Sequence, residues 1–188
     1  MKKLRKPIQE KEFKTLLNYI NANSTMRENT KQNYFNLFTL LYYTGMRLNE
    51  VPQLTIEDLN IAIDKQELII KAHKQHKERS IVLSKHSIKQ LKKITRNQEP
   101  TYRVIKIKSN PYSTPSPISF IAKVNRVIQS VLGERYSSHS FRAGVITDLA
   151  VKGVNPKIIQ NFIGHSSIST TMNYISPSSE DIRNALVR

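Results

Sequence analysis

The 188-residue sequence predicts a mainly α fold carrying one small antiparallel β-sheet. Two observations predict it. Apolar residues recur at helical spacing through several separate segments. Only one stretch, ELIIKAHKQHKERSIVL, sets two β-branched runs about a charged turn, the pattern of a hairpin. The length suits a single domain over 1–188, or one with a small lobe, and burial of roughly 70% of the unfolded surface.

In chain order, Phe13, Leu16, Leu17 and Ile20 share one face of an opening helix, which NANSTMREN interrupts. Tyr34, Leu37, Phe38 and Leu41 form the apolar face of a second helix. It stops near Thr44-Gly45, where glycine takes a left-handed closing position. RLNEVPQL reads as a short helix, with Pro52 tolerable only near its first turn. Ile69, Ile70, Ile81 and Val82 favour the two hairpin strands. A short helix is expected over Ser87–Lys93. Residues 95–117 contain several prolines and no clean period, so they read as loop, with a short strand possible at TYRVIKI. Ile118, Ile121, Val124, Ile128 and Val131 mark a helix over about 118–132. HSFRAGVITDLA and NPKIIQNFIG each open another.

Thirty Lys and Arg against fourteen Asp and Glu leave a formal charge of +16. Self-repulsion of that size opposes compactness, and a polyanionic partner relieves it. No apolar run approaches a membrane span. MKKLRKP resembles the start of a secretion signal, but polar IQEKEFK follows where an apolar segment belongs. The chain is expected to stay in the compartment where it is made. The absence of cysteine removes disulfides and thiolate metal sites. His73 and His76 could be read as metal ligands, but neither cysteine nor a carboxylate pair supports that, and no metal or cofactor is expected.

Four polar clusters invite a role. Arg47 follows a helix stop in YTGMRLNEV. Lys71, Lys74 and Lys77 surround the hairpin turn. His139 and Arg142, three apart, share a helical face. His165 precedes Tyr174 in GHSSISTTMNY. Each has a plainer reading: a surface arginine, lysines that keep a sheet edge soluble, a capping histidine, a packed tyrosine. Together they are the components of phosphoryl transfer. Arginines bind non-bridging phosphate oxygens bidentately, a tyrosine oxygen can attack phosphorus, and a lysine can protonate a leaving oxygen.

These segments resemble the tyrosine recombinase family, the lambda-integrase-like enzymes. TGMRLNE resembles the first arginine box of that family, HSFR its His-x-x-Arg box, and IGHSSISTTMNY its final box. The strands around KERSIVL resemble its lysine hairpin. The similarity runs from about residue 7 to 176, with the boxes in the family's order. It implies Arg47, His139 and Arg142 as phosphate-binding residues, Glu50 as a supporting acid, His165 as an assistant and Tyr174 as nucleophile. Counting back from Lys77-Glu78-Arg79 places the catalytic lysine on Lys74, with Lys71 and Lys77 as alternatives because the family's turn commonly holds glycines. Ala143 stands where relatives often have histidine.

The resemblance implies a catalytic-domain fold and a site-specific recombinase or integrase that joins DNA through a 3′-phosphotyrosine. It implies double-stranded DNA as partner and a homotetramer on paired sites, weakly associated or monomeric when free. No separate N-terminal DNA-clamping domain is expected, and an accessory DNA-binding protein could substitute for one. A catalytically silent DNA-binding relative and a type IB topoisomerase-like nicking-closing enzyme are the alternatives. A bacterial or phage origin implies the cytoplasm and nucleoid; an organelle genome also fits.

Overall fold

Helix α1 (Glu10–Ala22) buries Phe13, Leu16 and Ile20, and the Glu12 carboxylate accepts from the Gln9 amide at 3.1 Å. Helix α2 (Glu28–Thr44) ends at Gly45, whose φ of 61° closes the helix with a bond to the Leu41 carbonyl. Phe13 stacks on Tyr42 at 4.1 Å, joining the two helices. The computed structural model describes residues 5–71, 78–107, 110–175 and 183. The chain divides into two compact units, Met1–Val145 and Ile146–Arg188.

The segment expected as a short helix at RLNEVPQL is a turn followed by a 3₁₀ helix, Val51–Gln53, with Pro52 as its second residue. Helix α3 (Ile56–Lys65) follows. Its start is fixed by a reciprocal cap: Thr55 Oγ1 accepts from the Asp58 amide, and Asp58 Oδ2 from the Thr55 amide. Strands β1 (Glu67–Ile70) and β2 (Arg79–Val82) pair antiparallel, Ile70 opposite Arg79 and Leu68 opposite Ile81. Leu68, Ile70 and Ile81 face the core, whereas Ile69 and Val82 are exposed. The sheet is therefore covered on one face only.

Helix α4 (Lys85–Thr95) extends beyond the expected Ser87–Lys93 at both ends, and Ser84 caps its start by accepting from the Ser87 amide. The possible strand at TYRVIKI is corrected. Among the described residues, that region contributes only isolated bridges, Thr55 with Arg103 and Ile107 with Asn110. Side chains of α2 hold it instead: Asn33 brackets the Lys106 backbone, and Asn36 donates to the Val104 carbonyl. Val104 and Ile105 are both buried, so the alternation a strand needs is lost.

Helices α5 (Pro117–Leu132), α6 (Ser138–Val151), α7 (Pro156–Ile163) and α8 (Ile168–Met172) complete the order. Residues 140–144 of α6 are all buried, so this part of the helix is enclosed all round. Phe141 stacks on Phe38 of α2 at 5.6 Å, and the Ser140 carbonyl accepts from the Ile8 amide at 2.9 Å. No described helix is long and apolar enough to cross a membrane.

Candidate active site

The first unit builds its polar cluster at the end of α2. Gly45 reverses the chain, Met46 is buried, and Arg47 emerges with its side chain 20% exposed. Three residues on, Glu50 turns back. Its carboxylate accepts from the Arg47 amide at 2.6 Å and from Arg47 Nη1 at 3.1 Å. The same two oxygens accept both terminal nitrogens of Arg79, at 2.7 and 2.8 Å. Glu50 thus fixes the first arginine and fastens strand β2 to the arginine's turn.

Burial pushes the Glu50 carboxyl up, but the hydrogen bonds and charge of Arg79, followed by the bonds from Arg47, outweigh it. The carboxyl sits below its ordinary value and stays ionised. Its negative charge keeps two guanidinium groups close together against their mutual repulsion.

Arg142 comes from the enclosed part of α6 and is only 5% exposed. Its Nη1 donates to the Gly45 carbonyl at 2.6 Å, so the second arginine is tied two residues before the first. His139, one turn earlier on α6, is exposed. Asn125 of α5 caps that helix by accepting from the Ser138 amide at 2.8 Å, which sets the first turn carrying His139.

Lys71 is 80% exposed at the end of β1 and pairs with Asp58 at 3.3 Å. Burial raises the Asp58 carboxyl, yet the Thr55 bonds and Lys71 hold it below its ordinary value. Lys74 and Lys77, with His73 and His76, lie outside the described residues.

The second unit holds His165 and Tyr174. Gly164, at φ 73°, ends α7 and turns the chain. The Gln160 carbonyl accepts from the His165 amide, and the Gln160 side chain donates to the His165 carbonyl, each at 3.0 Å. The imidazole Nδ1 lies 2.9 Å from the hydroxyl of Thr171, which is fully buried. The Thr171 carbonyl in turn accepts from the Tyr174 amide at 3.0 Å. One threonine therefore sets the ring of His165 and closes the turn that presents half-buried Tyr174.

Several residues of these clusters were not singled out by the sequence, among them Asp58, Asn125, Gln160, Arg79 and Thr171. Arg79 left a trace, because it shares the inward face of β2 with Ile81, where an arginine requires a buried acid. Thr171 left none, being one hydroxyl residue among several.

The Phage integrase family model matches residues 6–181. The tyrosine recombinase XerA of Pyrococcus horikoshii is 30% identical over 152 residues, covering 80% of this chain and 52% of that protein. The crystal structure of a XerA recombinase superposes with a TM-score of 0.71 at 17% identity, covering 97% of this chain and 64% of the other. The XerH site-specific recombinase, solved bound to its difH substrate, gives a TM-score of 0.67 at 25% identity, covering 98% and 54%. The chain spans about half the length of the curated relatives it matches. Its mainly α fold with a small antiparallel sheet matches that of tyrosine recombinase catalytic domains, and the chain belongs to the phage integrase family of tyrosine recombinases.

Proposed function

We propose that this chain is the single catalytic domain of a site-specific DNA recombinase or integrase that cleaves and rejoins double-stranded DNA through Tyr174. The observation that carries the reading is the bond from Arg142 to the Gly45 carbonyl. It fastens one arginine to the turn bearing the other, whose own position Glu50 sets. Two fixed guanidinium groups match the non-bridging oxygens of a phosphodiester. A basic chain and a site-specific recombinase relative solved on its difH substrate support the same partner.

In the proposed cycle Arg47, Arg142 and His139 hold the scissile phosphate. The Tyr174 oxygen attacks phosphorus as the bond to the 5′ oxygen breaks, leaving a 3′-phosphotyrosine. The phenolic proton leaves through an imidazole of the site, and Lys74 supplies a proton to the departing oxygen. His165 steadies the phosphate. A 5′-hydroxyl from the partner strand then attacks the link, restores a phosphodiester and frees the tyrosine. Bond energy is conserved throughout, so the cycle needs no high-energy cofactor. Positioned donors of this kind contribute most as charge grows in the transition state, about 10²–10³-fold each. Strand exchange requires two duplexes, and we place four copies of the chain on the paired sites.

Nicked suicide duplexes test the reading. The wild-type chain is expected to become covalently attached, while Tyr174→Phe binds the same duplex and traps none. Trapping by Tyr174→Phe at the wild-type level refutes the assignment. Binding without trapping by the wild-type chain identifies a silent DNA-binding relative instead.

A further inference from the structure

Helix α4 carries a feature that the proposed catalytic cycle does not use. Lys85, Lys89, Lys92 and Lys93 fall within about 100° of its circumference, and Arg96 continues the stripe at the C-terminal boundary. All five are exposed. The opposite face, with Ser87, Leu91 and Ile94, is buried, and α4 packs on α2 and α3. The stripe is thus mounted on an anchored helix and points away from the core.

Nothing within the helix balances this charge. KHSIKQLKKIT contains no acidic residue, and none of the five cations makes an ion pair among the described residues. Lys85 repels Lys89, Lys89 repels Lys92 and Lys93, and both of these repel Arg96. Favourable interaction with the helix dipole accounts for the last turn only; Lys85, at the positive end, opposes it. The arrangement weakens the isolated helix and makes sense when an anion covers it.

We propose that this stripe is a second DNA-contacting face, taking the phosphate backbone of duplex DNA independently of the arginine cluster. The proposal rests on the recombinase reading for its partner and extends it to a surface sharing no residue with the catalytic cluster. Lys85 to Arg96 spans about 16 Å of helix, along which a duplex presents about ten phosphate charges. Four of the five cations are lysines, point charges on flexible stems that tolerate any register. The stripe includes no aromatic side chain on which an unpaired base could stack. It has no exposed apolar edge of the kind an interfacial membrane helix inserts. A sequence-indifferent backbone contact fits what remains.

The test combines Lys85→Gln, Lys89→Gln, Lys92→Gln and Lys93→Gln in one protein. Its affinity for a duplex is measured across a salt series, with the four Lys→Arg changes as a charge-preserving control. A second control removes four exposed cations from separate elements: Lys11, Arg27, Lys65 and Lys152. The slope of log affinity against log salt is expected to fall by about one per lysine removed in the Gln protein. The Arg protein is expected to keep the wild-type slope. Thermal melting should be unchanged or raised, because repulsion along α4 is relieved. An unchanged slope in the Gln protein overturns the proposal, and so does an equal fall in the scattered control. Covalent trapping on saturating suicide duplex separates the two readings. If the wild-type chain traps nothing but the Gln protein still loses slope, the recombinase reading fails and the stripe stands.

Discussion

The Glu50 carboxylate receives both terminal nitrogens of Arg79 while holding the backbone and side chain of Arg47. The side chains of Glu50 and Arg79 are 13% and 10% exposed. Removing Arg79 therefore strands a nearly enclosed anion with only Arg47. Arg79→Met is expected to destabilise the fold by about 3 kcal/mol, as for a broken buried pair, read by urea unfolding. Arg79→Lys keeps the charge but loses the fork, and should recover only part of that stability. Because Glu50 also sets Arg47, single-turnover trapping at saturating DNA should fall in Arg79→Lys under conditions where it remains folded. Unchanged stability in Arg79→Met contradicts the role given to this pair.

The same carboxylate makes stability depend on pH, and the direction follows from its lowered folded value. The unfolded chain binds a proton at the ordinary glutamate value, about 4.3, while the folded chain resists until lower pH. The stabilisation is fully present above the unfolded value and is lost as pH falls through the folded one. Asp58, also lowered, acts in the same sense. Urea midpoints are expected to drop on acidification in wild type. Glu50→Gln should flatten that limb while lowering stability at neutral pH. An acid limb of equal steepness in the variant excludes Glu50 as its source.

Much of this arrangement was legible in the sequence, and what was not has definite causes. Periodicity located α1, α2 and α5 because each buries a single stripe. It overlooked α3, although Thr55 and Asp58 formed a capping pair three residues apart, because Ile56, Leu59, Ile61 and Ile63 mix helical and alternating spacing. TYRVIKI had β propensity, but Asn33 and Asn36, some 70 residues away, occupy the backbone groups that a strand partner would use. In the polar cluster, motif order pointed to Arg47, Glu50 and Arg142, which the fold links through the turn at Gly45. The residues that steady them came from elsewhere. Arg79 is 29 positions from Glu50, and a pairing at that distance has no local period.

Gly144 is a steric requirement of the first unit. A Cβ placed there would overlap the Ile8 carbonyl oxygen, in the segment whose Ile8 amide bonds to the Ser140 carbonyl on α6. Alanine is the better helix former by about 1 kcal/mol, so propensity alone forecasts a gain. Overpacking against backbone is expected to dominate, and Gly144→Ala should lose about 1–3 kcal/mol. Hydrogen exchange should show the Ile8 amide losing protection first. A stabilised variant with Ile8 still protected contradicts this close approach.

Thr171 gives the second unit a comparable test. Valine preserves its shape in a fully buried site and removes only the hydroxyl 2.9 Å from His165 Nδ1. With that partner gone, the ring loses a contact that helps hold its orientation. Thr171→Val is expected to reduce covalent trapping about five- to tenfold, the rate equivalent of about 1 kcal/mol. DNA affinity should be nearly unchanged. A drop in affinity with normal trapping contradicts a role exerted through the His165 ring.

The lysine assignment divides along the hairpin. Lys71 is exposed and already paired with Asp58 at 3.3 Å, so it is engaged at the base of the strands. Its neutralisation removes one screened surface pair, worth at most about 1 kcal/mol. Lys71→Ala is therefore expected to weaken DNA binding modestly and leave the trapping rate at saturation intact. Lys77→Ala should behave similarly, and Lys74→Ala should abolish cleavage, since only the general acid is needed to expel the 5′ oxygen. A substrate with a bridging 5′-phosphorothiolate supplies the discriminating readout. Its sulfur leaves without a proton, so it should restore cleavage to Lys74→Ala. Rescue of Lys77→Ala instead moves the general acid three residues along the hairpin.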